Sequence, residues 1–260
     1  IVRVSTSQPQ EPGREYALDL VVKDARGNSQ QLLVRCYGHN PRIPAMLINE
    51  FTPQGGGNHP DMVEILVLEE GNLAGACLYE GVCDNYAQRM LFPSCEVTKG
   101  EYIVVHFKPE GIESEIDETE ATDVSGGLDA SPEGRDFWVP GGSGLSGNNG
   151  VLALYSDPFG EILDAVVYSN RTSTSDDSYR GFGSAAMLAK VDAVAEAGVW
   201  TGEGLPLRPE DAVDPEDSTA TRSICRGSDT ADSDTKDDWH IVPTSSLSFG
   251  SVNCDEVYVP

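Results

Sequence analysis

The stretch LINEFTPQGGGNHPDMVEIL, from Leu47 to Leu66, decides the fold. Two short apolar runs flank a loop rich in Gly, Pro, Asn and Gln, and this composition is typical of two β-strands joined by a turn region. Each run has one carboxylate in its middle, Glu50 in the first and Glu64 in the second. Because strand interiors usually avoid glutamate, the pair needs an explanation as catalytic groups, metal ligands or structural anchors.

Short apolar runs separated by turns continue along the rest of the chain. The strongest strand candidates are AMLINEF, MVEILVL, RMLFPSC, EYIVVHF, GVLALYS and EILDAVVYS. The 260 residues include 27 Gly and 16 Pro, a composition that favours many short strands over long helices. The pattern therefore predicts an all-β fold, an antiparallel sandwich or barrel.

One α-helix is predicted, from Ser184 to Trp200, in a segment rich in Ala. Ser184 is a suitable N-cap and Gly198 a suitable stop. Its larger apolar residues recur on one face, so the helix should lie against a sheet. Those residues are Met187, Val191, Val194 and Ala195.

The first 43 residues predict a separate β-hairpin. Residues 16–24 and 30–38 alternate between apolar and polar side chains, and ARGNS supplies the turn between them. Such a hairpin is typical of the end of a bacterial immunoglobulin-like module, and alone it would be only marginally stable. We therefore divide the chain into an N-terminal hairpin or partial immunoglobulin-like segment, 1–43, and a main domain, 44–260.

The net charge of −26, from 43 acidic and 17 basic residues, restricts the partners. Such a surface repels the phosphates of nucleic acids and anionic lipid headgroups, so we expect neither as a binding partner. No apolar run reaches the roughly 18 residues of a membrane span. The acidic run from Glu110 to Asp123 contains no base, and we expect most of it to be a solvated, mobile loop.

The even number of cysteines, six, favours disulfides and an oxidising compartment, with reduced cysteines in the core as the alternative. No pair has the C-x-x-C spacing of a zinc or redox site. One pairing that we expect joins Cys225 to Cys254, and another joins two of the three cysteines between residues 77 and 95. The candidates are Cys36, Cys77, Cys83, Cys95, Cys225 and Cys254.

Several phrases of the sequence, taken in order, resemble the bacterial lamin-tail domain family. LINEFTP and DMVEILVLEEGNLAGACLYE resemble its INEI-like and WVEL-like opening strands, and LFPSCEVTKGEYIVVHF the strand that follows. GLSGNNGVLALYSDPFGEILDAVVYSN resembles its central hairpin. STATRSICRGSDTADSDTKDDWHIVPTSSLSFGSVN resembles its closing Arg-bearing strand, Asp-rich loop, DW pair and tail.

The resemblance spans Ala45 to Asn253, with insertions at about 110–135 and 184–219. Met62 and Cys77 stand where the family usually has Trp. The resemblance implies an immunoglobulin-like antiparallel β-sandwich, here with one inserted α-helix and the N-terminal hairpin. It also implies a non-catalytic module of secreted or surface proteins.

Glu50 and Glu64 have three interpretations. In a half-buried sheet, a carboxylate that accepts hydrogen bonds from a neighbouring loop is a structural anchor. Two carboxylates on one face repel each other unless a proton, a base or a metal lies between them, and Arg222 is one candidate base. The third interpretation is a hydrolase, which needs the two carboxylates about 5–9.5 Å apart.

The segment SDTADSDTKDD, from Ser228 to Asp238, is a second candidate metal site. Clustered oxygens on a flexible loop suit Ca²⁺, although this loop lacks the central Gly and the final Glu of an EF-hand. The alternative is a solvated acidic turn. The carboxylates in question are Asp229, Asp232, Asp234, Asp237 and Asp238.

Enzyme motifs are missing from the sequence. None of the four histidines has H-x-x-x-H or H-E-x-x-H spacing, and no G-x-S-x-G elbow is present. Together with the resemblance to lamin-tail domains, which implies a non-catalytic module of secreted or surface proteins, this leads us to expect an extracytoplasmic module of the cell envelope that binds an unknown protein or glycan or acts as a spacer. A leader or lipid anchor upstream of Ile1 would fit this location. The first alternative is a calcium-dependent adhesion or carbohydrate-binding domain. The second is a carboxylate-based hydrolase.

Overall fold

Fourteen β-strands and one α-helix form the described part of the chain, residues 8–260, in the computed structural model. The strands are β1 (Glu15–Lys23), β2 (Ser29–Tyr37), β3 (Met46–Thr52), β4 (Met62–Val67), β5 (Gly71–Asn72), β6 (Cys77–Val82), β7 (Asn85–Leu91), β8 (Glu96–Val97), β9 (Tyr102–His106), β10 (Arg135–Trp138), β11 (Asn149–Tyr155), β12 (Ile162–Ser169), β13 (Ile224–Arg226) and β14 (Trp239–Ile241). The helix is α1 (Ala185–Ala197).

A six-stranded sheet and a four-stranded sheet pack face to face, which confirms the predicted all-β sandwich. The first has the order β10-β9-β4-β3-β13-β14, and the second has the order β12-β11-β6-β7. Neighbouring strands are antiparallel except for the parallel pair β9 and β10. Phe51 of β3 meets Tyr168 of β12 between the sheets, with ring centroids 5.3 Å apart.

The two runs of the opening stretch form β3 and β4, as predicted, and the loop between them joins an antiparallel pair. Alternate residues of β4 and β9, such as Val63, Ile65 and Val105, belong to the core between the sheets. Their neighbours Glu64 and His106 therefore point to the opposite face of the six-stranded sheet. That face is also buried, and we call it the covered face.

The predicted helix is confirmed with its caps. The Ser184 side chain accepts a hydrogen bond from the Met187 N–H, and Gly198 ends the helix with φ of 76°, a left-handed conformation that glycine adopts readily. Met187, Val191 and Val194 are buried, and the helix packs against β6, β11 and β12. The apolar face read from the sequence is thus the face that meets the four-stranded sheet.

The predicted N-terminal hairpin is present as β1 and β2, whose register runs from Glu15 opposite Tyr37 to Lys23 opposite Ser29. The first seven residues of the predicted 1–43 segment lie outside the described residues. No helix within residues 8–260 combines the length and apolar character needed to cross a bilayer.

Candidate functional site

Glu50 and Glu64 lie directly opposite each other in the β3–β4 pair. A register irregularity between Ile48 and Glu50 precedes this pairing, as expected for a β-bulge. Both side chains are completely buried, at 0% exposure. The two glutamates therefore do lie next to each other, and they are inside the protein.

The C-terminal loop, residues 243–254, covers Glu50 and supplies most of its hydrogen bonds. The Ser248 N–H donates to Glu50 Oε1 at 3.1 Å, and the Ser248 hydroxyl donates to Oε2 at 2.6 Å. The Ser223 hydroxyl also donates to Oε1. These hydrogen bonds join β3 to the C-terminal loop and to the residue before β13.

Glu64 binds the same loop from the neighbouring strand. The Gly250 N–H donates to Glu64 Oε2 at 2.5 Å, and Asn49 Nδ2 donates to Oε1 at 2.7 Å. Asn49 Nδ2 also reaches Asn253 Oδ1 at 2.9 Å, and Asn253 Nδ2 returns a bond to the Asn49 carbonyl at 3.1 Å. Two carboxylates and two amides thus hold the loop on the covered face, which supports the anchoring interpretation.

Burial raises the pKa of both glutamates above the usual value. The negative charge of Glu50 raises the pKa of Glu64 further, and this pKa lies well above its ordinary value. Two negative charges on directly paired residues in a protein interior are costly. The pair therefore retains a proton to higher pH than exposed carboxylates do. A shared proton is one of the three possibilities considered above, beside a base and a metal ion, for reducing the repulsion between the two carboxylates.

Arg222 is not the base that faces this pair, contrary to the expectation. Its guanidinium instead stacks on the Tyr258 ring, 4.0 Å from the centroid. The arginine that enters the interior of the sandwich is Arg226, at 0% exposure. The register of β13 against β3 pairs Cys225 with Glu50 and turns the neighbouring Arg226 to the other face.

Most of the acidic run is exposed to solvent, as expected, but one of its carboxylates is buried. Glu118 is 1% exposed, and its carboxylate accepts hydrogen bonds from the N–H groups of Val124, Ser125 and Asp136 at 2.8–3.0 Å. Such bonds to a buried carboxylate fix a loop whose charge alone predicts extension. Residues 110–134, which we call the acidic loop, therefore fold against the edge of the six-stranded sheet.

A buried histidine lies beside this loop. His106 Nε2 is 2.9 Å from Asp136 Oδ1, both side chains are fully buried, and the imidazole stacks on Trp138 with centroids 3.8 Å apart. Asp136 Oδ2 also accepts the Ser131 N–H at 2.8 Å. The arrangement ties the acidic loop to β9 and β10.

Arg226 is the buried centre of a second cluster of charged side chains. Its Nη1 lies 2.9 Å from Asp232 and 3.4 Å from Asp238, and its Nη2 lies 3.4 Å from Asp164. Its Nε donates to the Ile48 carbonyl at 2.8 Å. One buried cation thus holds the Asp-rich loop to β3 and β12.

The same cluster contains the three carboxylates best placed to hold a cation among residues 8–260. Oxygens of Asp164, Asp232 and Asp234 lie within 4.8 Å of one another. Burial raises the pKa of Asp164 to about 7 even though Arg226 opposes the shift. The Arg226 guanidinium already compensates part of the negative charge of these carboxylates. An ion-pair network therefore describes the cluster as well as a metal site does.

The structure therefore separates the seven predicted metal ligands. Asp232 and Asp234 lie close to Asp164, which is not one of the predicted metal ligands. Asp238 pairs with Arg226, whereas Asp229 and Asp237 are exposed. Glu50 and Glu64 belong to the covered face.

The disulfide prediction is wrong for this structure, in which all six cysteines are free thiols. Cys77, Cys95 and Cys225 are buried, and Cys36, Cys83 and Cys254 are half-buried. Burial raises the pKa of the Cys77 thiol to about 12, so it packs as a small neutral group. Cys225 Sγ lies 3.7 Å from the Cys254 carbonyl oxygen, so these predicted partners are neighbours without being bonded.

A surface groove of about 680 Å³ lies beside β14 and the segment after β12. Its lining includes Trp239, Ile241 and Tyr258, and neither Glu50 nor Glu64 belongs to it. The carboxylate pair is therefore not exposed in this groove.

Residues 44–241 match the model of TP_1001_2nd, a family described as a protein second domain. The chain belongs to this family. It is also similar to an uncharacterized protein of Treponema pallidum (strain Nichols), with 28% identity over 209 residues that cover 75% of this chain and 50% of the relative. The chain thus spans about half the length of the curated relative that it matches. In this member of the TP_1001_2nd family, the matched region begins just before β3 and leaves the N-terminal hairpin outside.

Proposed function

We propose that the chain is a non-catalytic structural or binding module, similar to bacterial lamin-tail domains, in which buried carboxylates hold loops on a β-sandwich. The observation that carries this proposal is the bonding of Glu50 and Glu64 to the C-terminal loop. The ligand class that we propose is a protein or glycan at the cell surface, bound through the loops that the sandwich positions.

The geometry of the glutamate pair argues against a hydrolase. A catalytic acid or base must come within hydrogen-bond reach of the substrate. Glu50 and Glu64 are completely buried, and their oxygens accept hydrogen bonds from the protein itself. We expect no turnover in a screen of generic glycoside and phosphodiester substrates, and activity that disappears in Glu64→Gln would contradict the proposal.

We also propose an extracytoplasmic location, as part of the cell envelope. The order of the lamin-tail-like phrases supports this location, whereas the six free thiols remove the argument from disulfides. Fractionation of the source cells with an antibody against the chain tests the location. Recovery with the cytoplasmic fraction would contradict it.

A calcium-dependent adhesion domain is the second candidate, favoured by the cluster of Asp164, Asp232 and Asp234. Titration calorimetry with CaCl₂ separates the candidates, because an adhesion domain of this kind should bind calcium and lose the binding heat in Asp234→Asn. With Arg226 2.9 Å from Asp232, the structural module needs no metal to hold this loop. We therefore expect equal melting temperatures in calcium and in chelator.

A further inference from the structure

The N-terminal hairpin presents an apolar face that is only partly covered within the described chain: Leu18, Leu20 and Val34 are half-buried, and Val22 and Leu32 are exposed. β1 and β2 pair only with each other among residues 8–260, so both outer edges of this two-stranded ribbon are open. Leu18 lies opposite Val34 and Leu20 opposite Leu32, which places them on one face. Alternation adds Tyr16 and Val22 to that face. Val22 is 61% exposed and Leu32 is 55% exposed.

The opposite face of the ribbon carries its charged and amide pairs, together with the exposed side chains of Val21 and Leu33. Arg35 Nη1 pairs with Glu15 at 2.8 Å, and Gln31 Nε2 donates to Asp19 at 2.8 Å. A strand pair with one polar and one apolar face is the pattern of a sheet that covers a core. Here the core on the apolar side is missing from the described residues.

The base of the ribbon is fixed on the sandwich. A Cβ on Gly13 would lie 2.4 Å from the Gly75 backbone nitrogen, so two glycines permit the backbones to touch. Asn40 Nδ2 donates to the carbonyls of Asn72 and Ala74, at 2.7 and 3.0 Å. Because its base is fixed, the ribbon projects in one direction and is preorganised for a partner.

The position of the ribbon identifies the occupant. An isolated hairpin is marginally stable, and open edges accept further strands. The family match begins at residue 44, the family is described as a second domain, and the chain covers only 50% of its relative. A second copy of the chain is a poor occupant, because each copy carries a net charge of −26.

We propose that β1 and β2 complete a β-sheet of an adjacent domain on the same polypeptide, with the face of Leu18, Leu20, Leu32 and Val34 buried in that domain. This inference goes beyond the proposed function and does not depend on whether the sandwich is catalytic. It makes the hairpin the rigid joint between the two domains, since its base is fixed on one and its apolar face lies in the other.

Hydrogen–deuterium exchange tests the proposal on two polypeptides, residues 1–260 alone and the natural polypeptide that contains them. The amides of β1 and β2 should exchange at least ten-fold more slowly in the natural polypeptide, whereas those of β3 and β4 should be unchanged. Leu32→Asp in the natural polypeptide should remove most of this protection. Leu33→Asp is the matched control, because Leu33 is the adjacent residue, is 59% exposed and lies on the polar face.

Three results would overturn the proposal. Exchange of the hairpin could be equal in the two polypeptides, or the natural polypeptide could have no further β domain beside the hairpin. The third result is a dimer of residues 1–260 in sedimentation velocity that becomes monomeric in Leu32→Asp but not in Leu33→Asp. This outcome would assign the apolar face to a second copy of the chain.

Discussion

Replacing Arg226 by methionine should destabilise the fold by about 3–5 kcal/mol at pH 7, the usual effect of breaking a buried ion pair. Methionine keeps the unbranched apolar stem and removes the guanidinium. Arg226 is completely buried, lies 4.6 Å from the centroid of the Trp239 ring and touches three aspartates. The substitution therefore removes charge, hydrogen bonds and ring contact together.

The magnitude follows from the groups that lose their partner. The carbonyls of Ile48 and Ala231 accept from the guanidinium at 2.8 and 3.1 Å. Only Ile48 is buried, and leaving its carbonyl unsatisfied costs about 1–3 kcal/mol, whereas the exposed Ala231 can bind water instead. Asp164 loses its cation, but its pKa of about 7 lets it take up a proton near neutral pH, so its charge adds a limited amount. Asp232 and Asp238 are less buried and can rehydrate.

Urea denaturation followed by far-UV circular dichroism measures the effect, provided that the slope with denaturant is unchanged. Arg222→Met is the matched control, since Arg222 lies four residues earlier, is half-buried and stacks on Tyr258. We expect it to lose about 1 kcal/mol or less. The double variant Arg226→Met/Asp164→Asn should regain part of the loss, because the uncompensated carboxylate is gone.

A loss below 1 kcal/mol in Arg226→Met would refute this reasoning, because the guanidinium would then contribute no more than a surface group. Equal losses in the Arg222 and Arg226 variants would refute it as well. So would strict additivity in the double variant, since contacting charges should couple.

Three further predictions concern the covered face and its loops. Glu64 keeps its proton to higher pH when folded than when unfolded, so its contribution to stability is complete below the unfolded pKa and is lost as pH rises through the folded pKa. Relative to Glu64→Gln, wild type should lose about 1.4 kcal/mol per pH unit between the unfolded and the folded pKa and no more above the folded pKa, and a pH-independent difference in urea titrations would contradict this. Glu118→Ala should free the acidic loop, so limited proteolysis should cut within residues 110–126 at least ten-fold faster, while unchanged cleavage would mean that the carboxylate does not hold it. Gly250→Ala should cost about 1–3 kcal/mol more than Gly100→Ala in thermal melts: both glycines have positive φ, of 88° and 85°, but only the Cβ at Gly250 would meet a neighbour, 2.2 Å from the Ser131 hydroxyl. Equal losses would mean that the loops do not pack there.

Most of the fold was predictable from short local patterns in the sequence. The helix from Ser184 was predictable because its cap, its stop and its apolar face are all encoded within one segment. The strands on either side of the 53–61 loop were predictable because short apolar runs and turn residues alternate. Both are decided by neighbours in sequence, where propensity and pattern act directly.

The candidate site was only half predictable, because its partners are distant in sequence. Glu50 and Glu64 were recognisable as carboxylates within apolar runs. Asp164 in EILDAVVYS is also a carboxylate within an apolar run, and this pattern could have identified it as a site residue. The sequence does not show which arginine is buried, because Arg222 and Arg226 are four residues apart and would face the same side of one strand. Only Arg226 lies within β13, whereas Arg222 precedes it. The burial of Glu118 likewise depends on N–H groups that a charge count does not show.

The central claim is that the buried glutamates hold the C-terminal loop, and hydrogen–deuterium exchange of residues 243–254 in Glu50→Ala tests it most directly. Glu50 accepts two hydrogen bonds from Ser248 of this loop, so their loss should lower the free energy of opening the loop by about 3 kcal/mol, at about 1.5 kcal/mol for each bond to a carboxylate. The loop amides should then exchange on the order of 100-fold faster, while β6 and β11 keep their protection. Unchanged exchange in the loop, with the carboxylate removed, would contradict the account.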